Sequence, residues 1–365
     1  MNQNDEYILL NNERIPVANG KLDLSNKNIV ITDKVEGFDK IEGFDRLDTV
    51  TEIKIPSWKC DNIEAWKHLK SLRVIELKFS GIKELKVFRN FKNLENLNLE
   101  SSHSITRIQG LENLVNLTAL NLSYTSLKKI EGLEHLTKLQ ELWLDRVGDE
   151  VKAQGYPGSK RESITRIEGL ENLTDLRVLS MEGDTVERIE GLETLERLEV
   201  LNLHYNSIKR IEGLDRLVNL RELHLGGNKI ERIEGLKNCT RLKLLHLHSN
   251  PVTRIEGLDT LKELEELELS ETKVPRIEGL SHLPNLRVLG LSSLGIKTLE
   301  GLEGNPNIEE LSINGNRITS LDGLLHLKKL KSLSIDRKRF TRTELVKLRQ
   351  LPLLKEVNTL DPDGG

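Results

Sequence analysis

The sequence predicts an α/β repeat solenoid of stacked units, each with a short strand and 3-10-like turns. Three observations predict it: a lopsided composition, a recurring glycine, and a two-step leucine pattern. Leucine takes 68 of the 365 positions and alanine only 4. An ordinary helical domain uses alanine freely, because it is the best helix former. So much leucine with so little alanine asks for a periodic scaffold of short elements.

The glycine sets the period. The pentapeptide Arg-Ile-Glu-Gly-Leu occurs six times, with glycines at Gly169, Gly191, Gly213, Gly235, Gly257 and Gly279, each 22 residues after the last. The column continues to Gly301 and Gly323, and runs back through Gly132, Gly110, Val87 and Ala65 to Gly43. That makes 13 units, of which 11 keep the glycine. The step is 22 except for 23 between Val87 and Gly110 and 37 between Gly132 and Gly169.

One unit shows what the spacing demands. After Gly213 the apolar positions are Leu214, Leu217, Leu220, Leu223, Leu225, Ile230 and Ile233. Steps of three are too tight for a 3.6-residue helix and suit 3-10 geometry. The step of two at Leu223 and Leu225 is strand periodicity, with both side chains facing inward. Asn228 follows, in a column with Asn206, Asn250 and Asn316, where a buried amide can satisfy backbone groups of neighbouring coils. A single coil cannot offset the entropy of ordering itself, so the units must stack.

These residues resemble the leucine-rich repeat family, in its 22-residue class, which includes a regulatory subunit of protein phosphatase-1 and the bacterial internalins. The resemblance covers about residues 40–338. It implies a horseshoe with a concave parallel sheet, short 3-10 segments on the convex side, and a non-enzymatic platform for a partner. Thirteen strands at about 4.8 Å give a concave arc of roughly 60 Å.

The domain organisation follows. Residues 1–38 form an N-terminal cap, in which Leu22, Leu24 and Ile29 imitate one strand and turn. Residues 39–338 hold the thirteen repeats, with a 15-residue insertion within 145–163. Residues 339–365 form a C-terminal cap and tail. There, Thr341 and Glu344 have capping-box spacing, Leu345 and Leu348 mark a short amphipathic helix, and Leu354 with Val357 close the last edge.

Composition removes several function classes. The formal net charge of −4 carries no nucleic-acid signature. No run of about 18 apolar residues is present to span a membrane. The first twenty residues lack the basic and apolar regions of a signal peptide. Two cysteines, Cys60 and Cys239, cannot staple a scaffold this large. The expectation is a cytoplasmic, monomeric protein without cofactors. An adhesin-like role would need secretion, and the sequon at Asn121 would then place a glycan in the groove.

Function should sit in what the scaffold does not use. Three positions per unit point out of the concave sheet: those before, between and after the two strand leucines. Eleven of these 39 positions are acidic (Glu52, Glu76, Glu100, Glu141, Asp145, Glu182, Glu222, Glu266, Glu268, Glu310, Asp336) and two are basic (Lys54, Lys78). The face therefore carries 2 − 11 = −9, and the rest of the chain −4 + 9 = +5. An acidic face repels phosphate backbones and attracts a protein partner with a basic surface.

Trp143 is the one tryptophan on this face, in a row with Glu141 and Asp145 and flanked by Tyr124 and Arg146. Hot spots are enriched in aromatic residues and Arg. Glu141-x-Trp143 is similar to the acidic–aromatic pattern with which the phosphatase regulatory subunit grips its enzyme. The insertion follows at once, and Tyr156 at its centre is its natural anchor. Glu182, Tyr205, His204, His224, His246 and Glu268 complete the expected partner-binding set.

Four of the nine histidines (His204, His224, His246, His248) fall in three consecutive rows. His246-x-His248 on one strand, with His224 across from His246, has a spacing that zinc can use, and Glu268 stands beside His246 to orient it. The alternative function is accordingly a metal-binding protein through His224, His246 and His248, or a metal-dependent enzyme built on them. Basic residues three before the glycine (such as Arg188, Arg210 and Arg232), with Glu one before it, read as a structural charge ladder.

Overall fold

A computed structural model describes residues 7–10, 13–16, 21–23, 50–55, 63, 66–67, 69–146 and 163–359. The chain falls into two compact units, Met1–Thr185 and Val186–Gly365. Each winds as a solenoid around a parallel sheet.

In the first unit, β1 (Tyr7–Leu10) and β2 (Glu13–Pro16) form an antiparallel hairpin. The parallel strands follow in chain order: β3 (Lys21–Asp23), β4 (Glu52–Ile55), β5 (Val74–Leu77), β6 (Asn96–Asn98), β7 (Ala119–Asn121), β8 (Glu141–Trp143) and β9 (Val178–Ser180). Strand β8 pairs with β9 across the long step, placing Glu141 opposite Val178 and Trp143 opposite Ser180. The insertion thus leaves the register intact.

The second unit repeats the pattern with β10 (Val200–Asn202), β11 (Glu222–His224), β12 (Leu244–His246), β13 (Glu266–Glu268), β14 (Val288–Gly290), β15 (Glu310–Ser312), β16 (Ser332–Ser334) and β17 (Glu356–Asn358). Each strand of β10–β16 pairs with its successor in register, so residues 22 apart stand side by side from Val200 to Ser334.

The leucine steps become hydrogen bonds. Leu217 N–H donates to Leu214 C=O, and Leu220 N–H to Leu217 C=O, which are 3-10 bonds at the spacing of three. The turn lengthens into a 3-10 helix at Leu85–Phe88 and Asp322–Leu324. All seven apolar positions of the Gly213 unit are buried. Cys239 occupies the column of Leu217 and Leu261, fully buried, and burial pushes its thiol up to about 11.

Why glycine recurs is clear at Gly213. Its φ is +70°, and a Cβ there would lie 2.4 Å from the Ile189 carbonyl oxygen of the preceding coil. Both the left-handed backbone and the close approach exclude a side chain.

The asparagine column ties coils together. Asn228 accepts from Ile208 N–H of the preceding coil at 2.9 Å and donates to the Leu203 and Leu225 carbonyls, each at 2.9 Å. Asn206, Asn250 and Asn316 make the corresponding bonds to Val186, Ile230 and Ile296. At the C-terminal end, helix α1 (Arg342–Lys347) is capped by Thr341, whose side chain accepts from Glu344 N–H. The Glu344 carboxylate does not return to Thr341; it accepts from Leu321 N–H at 2.8 Å and binds the helix to the repeats.

Candidate interaction surface

In the first unit, the sheet face has two electrostatic halves. Lys54 pairs with Glu52 (2.8 Å) and Glu76 (3.2 Å), and Lys78 pairs with Glu100 (2.7 Å). These two lysines are paired with the three carboxylates Glu52, Glu76 and Glu100, leaving −1 there, and from Glu141 onward the outward positions carry acidic residues without lysines among them.

Trp143 is half-buried on the face, between Asn121 and Ser180 on the adjoining strands. Both register neighbours carry small polar side chains. Glu141, half-buried, precedes it on β8.

Two residues expected to meet a partner are used by the scaffold instead. Asp145 Oδ1 accepts from Ser180 Oγ (2.5 Å) and Glu182 N–H (3.0 Å), while Oδ2 accepts from Ser123 Oγ (3.3 Å). Its carboxylate clips the strands on both sides of β8. Arg146 turns inward: Nη1 donates to Leu127 C=O at 2.6 Å, and Nε lies 3.4 Å from Asp184 Oδ1. Its side chain is only 11% exposed. Both tie the end of this coil to its neighbours. Tyr156 lies outside the described residues.

Tyr124 stands at a rim position where the chain is left-handed, with φ +57°. Burial and the nearby Asp145, Glu182 and Glu100 carboxylates push its hydroxyl above the usual phenol range. Phe79 occupies the same column with φ +51° and is 57% exposed. An L-residue held left-handed costs roughly 1–2 kcal/mol. Glycine fills this column at Gly183, Gly227 and Gly315. Ser101, Tyr205, Ser249, Glu271 and Ser293 hold the same left-handed conformation in this column, so the turn accepts polar and aromatic side chains alike.

In the second unit, the histidines gather around a glycine. The column after the second strand leucine runs His204, Gly226, His248. A Cβ at Gly226 would meet the His248 ring at 2.3 Å, so that ring lies over the gap. His204 reaches in from the other side, its ring centroid 5.1 Å from that of His248 and 5.2 Å from that of His224. His224 and His246 are register partners with Nδ1 atoms 3.3 Å apart.

The nitrogens that converge belong to His204, His224 and His246, all within 4.8 Å of one another. His248, expected as the third member, packs over Gly226 instead. The acidic partner of His246 also differs from expectation. Its Nε2 bonds Glu266 Oε1 at 2.8 Å, while Glu268 turns over Gly290 and accepts from Ser270 N–H. Glycine in the next row gives the Glu268 carboxylate room to leave. Tyr205, at φ +52° and 36% exposed, packs its ring on Gly227.

Burial, then the neighbouring imidazoles of His248 and His224, holds His204 down to about 3. Burial and His246 hold His224 below the usual histidine range as well. Both rings are neutral at physiological pH.

With this geometry in place, comparisons identify the architecture. The family model described as "Leucine Rich repeats (2 copies)" matches residues 196–238 and 218–260. The chain folds as a leucine-rich-repeat solenoid. An internalin (InlF) of Listeria monocytogenes superposes with a TM-score of 0.75 at 24% identity, over 90% of this chain and 92% of that one. The functional domain of InlJ from the same species gives 0.65 at 21%, covering 86% and 69%. A leucine-rich-repeat protein of Leptospira interrogans gives 0.55 at 21%, covering 86% and 91%. No curated protein sequence matches the chain.

Three features of this leucine-rich-repeat solenoid escape a column-by-column reading. Phe79 lies outside the three outward positions, although its alignment with Tyr124 and Tyr205 is a readable signal. Gly226 governs the histidine cluster by absence of a side chain. Asp184 fills the asparagine column, and burial pushes its carboxyl up to about 7 against the pull of Arg146 and Ile164 N–H. The charge ladder takes the form of bonds between coils, with Arg188, Arg210 and Arg232 pairing Glu212, Glu234 and Glu256 at 3.0, 2.9 and 3.2 Å.

Proposed function

We propose that this protein is a non-enzymatic scaffold that holds a partner protein with a basic surface against the sheet face around Trp143. The observation that carries the reading is the indole itself. A large amphipathic ring stands half-buried between Asn121 and Ser180, beside Glu141. An aromatic anchor ringed by polar residues is the usual composition of an interface hot spot. The left-handed Tyr124 and Phe79 extend the apolar contact along the rim, and the acidic surplus beyond Glu100 selects a basic partner. Within this reading, Glu141-x-Trp143 favours a phosphatase-type enzyme among basic partners.

The test is affinity capture followed by mass spectrometry, comparing the full chain with Trp143→Ala and Glu141→Ala. Val218→Ala, at an apolar residue 47% exposed and outside the strands, serves as the control. The expected outcome is a partner retained by wild type and Val218→Ala and lost from Trp143→Ala. Loss of an anchor worth about 2 kcal/mol weakens binding roughly thirtyfold. Capture that weakens as salt rises supports the acidic contribution. A partner held equally by Trp143→Ala overturns the site assignment.

A further inference from the structure

We propose that His204, His224 and His246 bind one divalent transition-metal ion of the zinc type in a three-imidazole site. The inference is independent of the Trp143 surface and rests on residues of the second unit alone.

The argument begins with one distance. His224 Nδ1 and His246 Nδ1 are 3.3 Å apart. Two imidazole nitrogens each about 2.05 Å from a shared ion, at that separation, subtend roughly 107°, close to the tetrahedral angle of zinc. The register of β11 and β12 produces the pair, because His224 and His246 occupy the same column on adjacent strands.

The far sides of the rings fit the same conclusion. His246 Nε2 lies 2.8 Å from Glu266 Oε1, and His224 Nε2 lies 3.5 Å from Glu222 Oε2. His204 Nδ1 lies 3.3 Å from the Gly226 carbonyl, which leaves Nε2 as its coordinating atom. Metal-bound histidines characteristically donate their other N–H to a carboxylate or a backbone carbonyl, which fixes the tautomer and raises ligand basicity. His246 and His204 have such acceptors at 2.8 and 3.3 Å, and Glu222 stands at ion-pair distance on the far side of His224. With the Nε2 protons of His224 and His246 directed at carboxylates, their Nδ1 lone pairs face each other, an arrangement that a cation relieves.

His204 completes the set. It comes from β10, one strand away, and the missing side chain at Gly226 lets its ring cross toward His224. One nitrogen from each ring lies within 4.8 Å of one from each of the others, so tetrahedral spacing needs a closure of at most about 1.5 Å. Three protein ligands leave a fourth position for water or a partner's group.

The test uses the full chain stripped with a chelator and titrated calorimetrically with zinc chloride. The replacements are chosen from residues that the same columns already hold elsewhere. His224→Asn copies Asn98, Asn121 and Asn202, while His204→Ser and His248→Ser copy Ser123, Ser270 and Ser292. The expected result is one saturable site of micromolar or tighter affinity. His224→Asn and His204→Ser should each weaken it by about a hundredfold, and His248→Ser by less than about tenfold. Cobalt(II) in place of zinc should give the intense visible absorption of a tetrahedral complex, and zinc should raise the melting temperature of wild type and His248→Ser but not of His224→Asn or His204→Ser. Absence of saturable binding, or binding unchanged in His224→Asn, overturns the proposal. Loss in His248→Ser with retention in His204→Ser overturns the ligand set.

Discussion

Arg146 and Asp184 form a buried ion pair at the edge of the insertion, with Nε 3.4 Å from Oδ1 and the Asp184 side chain wholly out of solvent. Asp184 sits where Asn206, Asn228 and Asn250 sit in later coils, and its Oδ1 accepts from Ile164 N–H at 3.0 Å as their amide oxygens do. The difference lies at the second atom. Each asparagine Nδ2 donates to the carbonyl three residues earlier, whereas Asp184 Oδ2 is buried with no hydrogen-bond partner among the described residues. A protonated Asp184 imitates the asparagine, and an ionised one does not.

The first prediction follows from that imitation. The folded value of about 7 lies above the ordinary 3.8, so the folded chain holds a proton that the unfolded chain has lost between those limits. Asp184 therefore costs stability as pH rises from about 4 to about 7, at most about 1.4 kcal/mol per pH unit. Asp184→Asn supplies the missing donor at every pH. Denaturant unfolding at pH 8 should show the variant more stable by about 1 kcal/mol or more, with the difference vanishing near pH 4. An equal difference at both pH values would remove the titration from the account.

How much of this was legible in the sequence depends on what fixes each atom. The strand triplets were legible, because Leu-x-Leu and the 22-residue step determine which residues share a row. Trp143 and the register of His224 with His246 follow from the same rule. Side-chain direction does not. Glu266 and Glu268 look equivalent beside His246 until Gly290 gives Glu268 somewhere else to go. Asp145 and Arg146 read as partner contacts because outward position and charge were all the pattern supplied. Their hydroxyl, amide and carboxylate partners come from other coils, at distances that no column states.

A second prediction concerns acid. His204 has a folded value of about 3 against an ordinary 6.5, so below about pH 6.5 the unfolded chain takes up a proton that the folded chain refuses. Stability contributed by the neutral ring is present above that pH and is lost as pH falls toward 3, again at most about 1.4 kcal/mol per pH unit. The sign is opposite to that of Asp184. His204→Ser should resist acid better than wild type, read as a smaller loss of unfolding free energy between pH 7 and pH 4.5. An NMR titration should show the His204 ring neutral through pH 5.

A third prediction tests the asparagine column. Asn228 satisfies the buried Ile208 N–H and donates to the carbonyls of Leu203, Leu225 and Gly226. Asn228→Leu leaves these groups without the amide and should cost about 2–4 kcal/mol, seen as a lower denaturant midpoint. Hydrogen exchange should accelerate at the Ile208 amide first. A variant as stable as wild type would show that the column is decorative.

The last prediction separates the two reasons for glycine. Gly235 and Gly295 both have left-handed backbones, with φ +72° and +77°. A Cβ at Gly235 would lie 2.2 Å from the Ile211 carbonyl oxygen, whereas one at Gly295 would meet nothing within 4 Å. Gly295→Ala should therefore pay only the torsional cost of about 1–2 kcal/mol. Gly235→Ala pays that and must also push two coils apart, so its total should reach about 3–5 kcal/mol. The comparison is made by chemical unfolding of both variants under one condition. Equal losses would mean that backbone torsion alone holds the glycine in its column. A loss at Gly235 several times larger would place the constraint in the 22-residue stacking, where each coil's turn rests on the carbonyl of the coil before it.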